Sequence, residues 1–164
     1  MNGVNENKEP VVSDAALLEA FEQRERSTKD FYLNVGPADI GGEPAPGDSA
    51  VFAEQLRRDV EAALCLTFAL IPGAANPTGG YTYWYESGER SVHLQVNDPE
   101  EGDLFPFGKV PALLIIRSRS EEVATWELAA GLHRDLCSLG TYLLLAETKN
   151  GDLVTANFNV GDDW

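Results

Sequence analysis

Ala112-Leu113-Leu114-Ile115-Ile116 offers no polar side chain for five consecutive residues. A strand with one wet face alternates apolar and polar positions, so an unbroken apolar run reads as a strand covered on both faces, in the interior of a sheet. The rest of the chain must be arranged around that strand. Leu113 and Ile115, with Leu143 and Leu145 from a later strand, are expected in one sheet packed beneath two helices. The 164 residues are 43% hydrophobic and 24% charged, ordinary for one folded domain. A chain of this length buries roughly 70% of its unfolded surface, enough for a core without metal or disulfide staples. The expected organisation is a disordered N-terminus over 1–12, then a single domain over 13–164 with a Gly/Pro-rich loop at 36–49.

Local patterns supply the elements. Ser13 is placed to cap a helix whose apolar face is Leu17, Leu18 and Phe21, and Val12 with Leu17 has the spacing of a hydrophobic staple. Phe31, Leu33 and Val35 alternate with polar or small neighbours, a short strand. A second helix starts at Asp48-Ser49, with Phe52, Leu56, Val60, Leu64, Thr67 and Ile71 at helical steps. Its apolar second half equally suits a break into strand near Leu66. Tyr81 to Glu86 and Arg90 to Asn97 flank Ser87-Gly88-Glu89 as a hairpin. Ser118 and Glu121 have capping-box spacing before a third helix that stops at Gly140. Asn150-Gly151 then turns a final hairpin, with Lys149 facing Asp152. Strands joined by short turns, with helices between the runs, define an α+β fold. It should be a largely antiparallel sheet of five or six strands with two or three helices on one face.

Charge narrows the function. The 27 Asp+Glu exceed the 12 Lys+Arg by 15, which opposes nucleic-acid phosphate and anionic membranes as ligands. The acids are dispersed; only the segment 104–146 balances, with four Lys+Arg against four Asp+Glu. Such a body attracts basic proteins. Met1 to Asn7 carries neither the basic start nor the apolar core of a signal peptide. Cys65 and Cys137 lie in apolar-periodic stretches and read as reduced, buried thiols, with a disulfide between them as the alternative. The expected compartment is the cytoplasm.

Catalytic templates fail: G-x-S-x-G, H-E-x-x-H, C-x-x-C and G-x-G-x-x-G are absent. Gly102 to Val110 superficially resembles a phosphate loop, but it has one residue too many between its glycines. His133 and Cys137 stand four apart on one helical face. With Cys65 and His93 they are enough in number for zinc, though the spacing fits no finger or ribbon. The packing stripe Trp126, Ala130, His133 and Cys137 is the simpler reading, with no metal, no cofactor and no catalytic residue assigned. Asp98, Glu100, Glu101 and Asp103 crowd a loop that continues into Leu104-Phe105-Pro106-Phe107, an apolar anchor ringed by carboxylates if its aromatics project. Tyr81, Tyr83 and Tyr85 share one strand face with Trp84 on the other, so one aromatic face is core and the opposite one is surface. The candidate partner-binding residues are therefore Asp98, Glu100, Glu101, Asp103, Leu104, Phe105, Phe107, Tyr83 and Trp84.

Gly140 to Leu145 running through Asn150-Gly151-Asp152-Leu153-Val154, a helix end followed by a hairpin, resembles the specialised chaperones of type III secretion and their fold relatives. The order helix, three strands, helix, two strands from Ser49 to Val160 extends the likeness. The resemblance implies an acidic, dimeric, non-enzymatic protein that binds a client segment in the cytoplasm. The helix and strand before Gly36 depart from it. The expectation is a protein-binding domain, chaperone-like, inhibitor-like or immunity-type, for a basic protein partner and with no direct contact to nucleic acid or membrane. Two other classes stay open: a small enzyme assembling His93, His133, Cys137 and the 98–103 carboxylates in three dimensions, and an acidic mimic of nucleic acid.

Overall fold

The computed structural model describes residues 14–24, 30–38, 48–70, 81–96, 110–149 and 151–158. Ten elements run along the chain. They are α1 (Asp14–Arg24), β1 (Phe31–Pro37), α2 (Asp48–Leu64), β2 (Ala69–Leu70), β3 (Tyr81–Glu86), β4 (Arg90–Val96), β5 (Ala112–Ser118), α3 (Thr125–Ser138), β6 (Tyr142–Thr148) and β7 (Leu153–Ala156). The strands form one sheet in the order β2-β3-β4-β5-β1-β6-β7, and every neighbouring pair is antiparallel. Six strands are of ordinary length and β2 is a two-residue edge piece. The fold is α+β, as the alternation of strand runs and helices requires. β5 is central. So is β1, which slots between β5 and β6 while α3 carries the chain over it.

Three helices cover one face. Phe31, Leu33 and Val35 of β1, Val92, Leu94 and Val96 of β4, Ala112, Leu114 and Ile116 of β5, and Leu144 and Ala146 of β6 form one core with Leu17 and Phe21 of α1, Leu56 and Val60 of α2, and Leu132 and Leu136 of α3. The register aligns these residues strand by strand, Leu94 beside Leu114 and Leu114 beside Leu33. Here the expectation needs correction. Leu113, Ile115, Leu143 and Leu145 do share the sheet, but strand parity turns them away from the helices, and Leu114, Ile116, Leu144 and Ala146 take the positions beneath them. The run predicted a strand covered on both faces, and β5 is inside the sheet, but only its helix side is fully buried, with Leu113 and Ile115 half-buried on the other.

α2 ends at Leu64, and Cys65 adopts a left-handed φ of 53°. The amide of Leu66 donates to the Glu61 carbonyl at 3.1 Å and the amide of Phe68 to the Glu61 carboxylate at 2.8 Å, while Arg90 donates to the Leu64 carbonyl at 2.5 Å. These bonds stop the helix and turn the chain into β2, so the break near Leu66 is the reading that holds. Cys65 is consequently exposed, not buried, and both cysteines are free thiols. α3 begins at Thr125 rather than after Ser118. Instead of capping a helix, Ser118 organises the preceding loop: its hydroxyl donates to the Val123 carbonyl at 2.5 Å, and its amide donates to the Thr125 hydroxyl at 3.0 Å. Gly140, at φ 71°, closes α3 as expected. In the last hairpin Gly151 has φ 88°. Lys149 reaches Asp30 at 4.0 Å rather than Asp152. Ser13 and Val12, whose capping and staple roles were expected, lie outside the described residues.

Candidate functional site

The face of the sheet turned away from the helices carries a row of side chains in direct cross-strand register. Trp84 stands beside His93, His93 beside Ile115, Ile115 beside Tyr32, and Tyr32 beside Glu147. Four interstrand steps of about 4.8 Å make the row about 19 Å long. Trp84 and His93 stack, with ring centroids 3.8 Å apart and planes inclined by 29°. Trp84 is 38% exposed, one of five large apolar side chains recorded as exposed among the described residues. Its neighbour across the sheet edge is only Ala69, too small to cover an indole. Burial pushes the imidazole of His93 below its ordinary value, so it is neutral at pH 7.

Both flanks of the row are polar or closed. On one side Arg119 pairs with Glu86, and Arg117 holds Asp30 with two bonds of 2.5 and 2.9 Å. On the other, Asn34 and Leu145 are buried. The Asn34 amide donates to the Leu145 carbonyl at 3.4 Å and to the Glu147 carboxylate at 3.1 Å. Glu147 is half-buried and enters no ion pair among the described residues. Burial raises its carboxyl above the ordinary value, and the Asn34 hydrogen bond opposes that rise. A register shift between Ala146 and Glu147 interrupts the β6–β7 ladder at this point, a device that often re-aims a side chain near functional positions.

The second cluster with chemical content lies in the helix layer. Cys137 Sγ is 3.6 Å from His133 Nδ1, and the Asn157 amide approaches the same sulfur at 3.8 Å. A nucleophilic thiol needs a thiolate beside an imidazolium, with a third group orienting the imidazole. The geometry runs the other way. Burial pushes the Cys137 thiol up and holds His133 down at about 4. Asn157 contacts the sulfur, and His133 Nε2 is buried with no hydrogen-bond partner among the described residues. Asn157 is otherwise occupied in fastening the chain after β7 to β6, donating to the Tyr142 carbonyl at 3.0 Å and accepting from the Leu144 amide at 2.7 Å. Phe21 meets the imidazole edge-on. Ala130 belongs to the core, Trp126 and Cys137 pack against it, and His133 is buried beside them against Phe21, which makes this a packing stripe holding a neutral pair.

His93 and Cys65 do not join His133 and Cys137. His93 is on the helix-free face, and Cys65 is exposed at the end of α2. No group of three or more His, Cys, Asp or Glu side chains among the described residues is arranged to hold a metal. Of the expected partner-binding residues, Asp98, Glu100, Glu101, Asp103, Leu104, Phe105 and Phe107 lie outside the described residues. Tyr83 is a core residue, tilted against Phe68 and capped by the Arg57 guanidinium, so it is removed from the exposed aromatic surface. Trp84 is on that surface. Sequence reasoning missed Tyr32, Ile115 and Glu147 as its companions. The pairing of Trp84 with His93 was recoverable from the hairpin, because both stand three residues from Ser87 or Arg90 at its ends. The other three depend on β1 entering the sheet beside β5. Comparison of the chain with protein-family models, with curated proteins and with solved structures returned no match.

Proposed function

We propose that this chain is a non-enzymatic protein-binding domain that docks a basic protein on the helix-free face of its sheet. The observation that carries the reading is the row Trp84, His93, Ile115, Tyr32 and Glu147. Indole and phenol side chains with one apolar and one polar end are the groups enriched where proteins meet. The net charge of −15 supports a basic partner, which the field of the body steers before contacts form. In that role the chain is a chaperone-like adaptor, an inhibitor or an immunity-type protein, acting in the cytoplasm. The acidic residues Asp98, Glu100, Glu101 and Asp103 add to the negative charge that steers such a partner. No helix among the described residues is long and apolar enough to cross a membrane.

The test is affinity capture from lysate of the native source, with mass spectrometry, using wild type and Trp84→Ala side by side. A basic protein retained by wild type and depleted by the variant supports the reading. Equal capture by both moves the partner site off this face.

A further inference from the structure

Glu147 poses a question that packing does not answer. A half-buried carboxylate weakens a fold unless hydrogen bonds or a cation compensate. The neighbouring acids have such compensation, Asp30 from Arg117 and Lys149 and Glu86 from Arg119. Among the described residues Glu147 has one side-chain hydrogen bond, from the amide of Asn34 to one carboxylate oxygen, and no ion pair. It follows Tyr32 in the row, with Leu153 of the edge strand β7 beyond it, and the ladder shifts register beside it. We propose that Glu147 is the seat for an arginine of the docked partner, whose flanking apolar side chains lie against Tyr32, Ile115 and Trp84. This rests on the reading of the chain as a protein-binding domain.

Arginine fits the place better than lysine. Its guanidinium is planar, forms two parallel bonds to a carboxylate, and stacks on aromatic rings such as Tyr32 in the next register position. A second copy of the chain is a poor occupant, because two bodies of −15 repel. The arrangement also explains why a destabilising group sits there: an ion pair completed only in the complex gives selectivity at the expense of the free protein.

Random 12-residue peptides displayed on phage, selected on wild type and depleted on Trp84→Ala, test the seat directly. The expected survivors carry an arginine next to apolar residues. Their affinity should fall about tenfold or more in Glu147→Gln, which keeps the Asn34 bond but not the charge. Survivors without arginine, indifferent to Glu147→Gln, overturn the seat while leaving the docking face intact. No enrichment, or peptides bound equally by Trp84→Ala, overturns the face and the seat with it. So does a dimer in sedimentation that Trp84→Ala dissociates. Circular dichroism checks the fold of each variant, and Tyr32→Ala, on the same row, replaces Trp84→Ala if that variant does not fold.

Discussion

The two faces of this sheet share the same strands and differ in everything that follows from parity. Leu114 and Ile115 are sequence neighbours, yet Leu114 is fully buried beneath the helices and Ile115 is half-buried on the opposite side. The helix side is continuous hydrocarbon from β3 to β6, ending at the phenol of Tyr142, which donates to Asp59 at 2.5 Å. The other side mixes Trp84, His93, Ile115 and Tyr32 with Asn34, Arg117 and Glu147. One face holds the molecule together. The other is chemically mixed and partly exposed.

The sharpest way to break that contrast is to truncate both neighbours. Leu114→Ala should cost about 2–5 kcal/mol in urea denaturation, as cavities in tight cores do. Ile115→Ala should cost about 1–2 kcal/mol, because part of its surface is already exposed. Equal costs would mean that the second face is as much core as the first.

Acid should attack the helix side next. His133 is held at about 4 in the folded protein against 6.5 when free, so the unfolded chain binds more protons between those values. Its contribution is constant above pH 6.5 and is lost as pH falls toward 4. The slope is at most about 1.4 kcal/mol per pH unit, and the whole loss is about 3 kcal/mol. Urea titrations of wild type and His133→Leu from pH 7 to 4 should diverge in slope. Parallel curves would show that the imidazole is not desolvated.

Among the polar groups of the helix-free side the largest structural effect should come from Asp30→Asn, which leaves Arg117 and Lys149 without this carboxylate. We expect a loss of about 1–2 kcal/mol, limited by the solvent around Arg117. Thermal melts at low and high salt would check it, and an unchanged melting temperature in both would reduce the clamp to a surface pair. Smallest is Glu147→Gln, expected to raise stability at pH 7 by less than about 1 kcal/mol. The raised carboxyl means that folding disfavours its ionised form, so the gain should shrink as pH falls and the wild-type residue protonates. A loss of stability at pH 7 would identify Glu147 as a structural acid.

Much of this molecule is written locally. The apolar run 112–116 demanded an inner strand. The alternation at 31–35, the periodicity of 52–64, the hairpin at 87–89 and the glycine after Ser138-Leu139 all act through neighbouring residues, and each produced its element. The acidity is likewise a property of composition alone. Helix ends were less legible, since the stop after Leu64 depends on Arg90, a residue from another strand. The start at Thr125 was hidden because Ser118 spends its hydroxyl on a loop carbonyl. What the sequence does not contain is the meeting of Phe31–Pro37 with strands far along the chain. That insertion, which buries Phe31, Leu33 and Val35 in the core shared with the helices, also places Tyr32 between Ile115 and Glu147. Local signals decide what each segment becomes, because they act over a few bonds. Which faces are shared, and so which side chains line the helix-free face, depends on register between distant strands, and only the assembled core determines it.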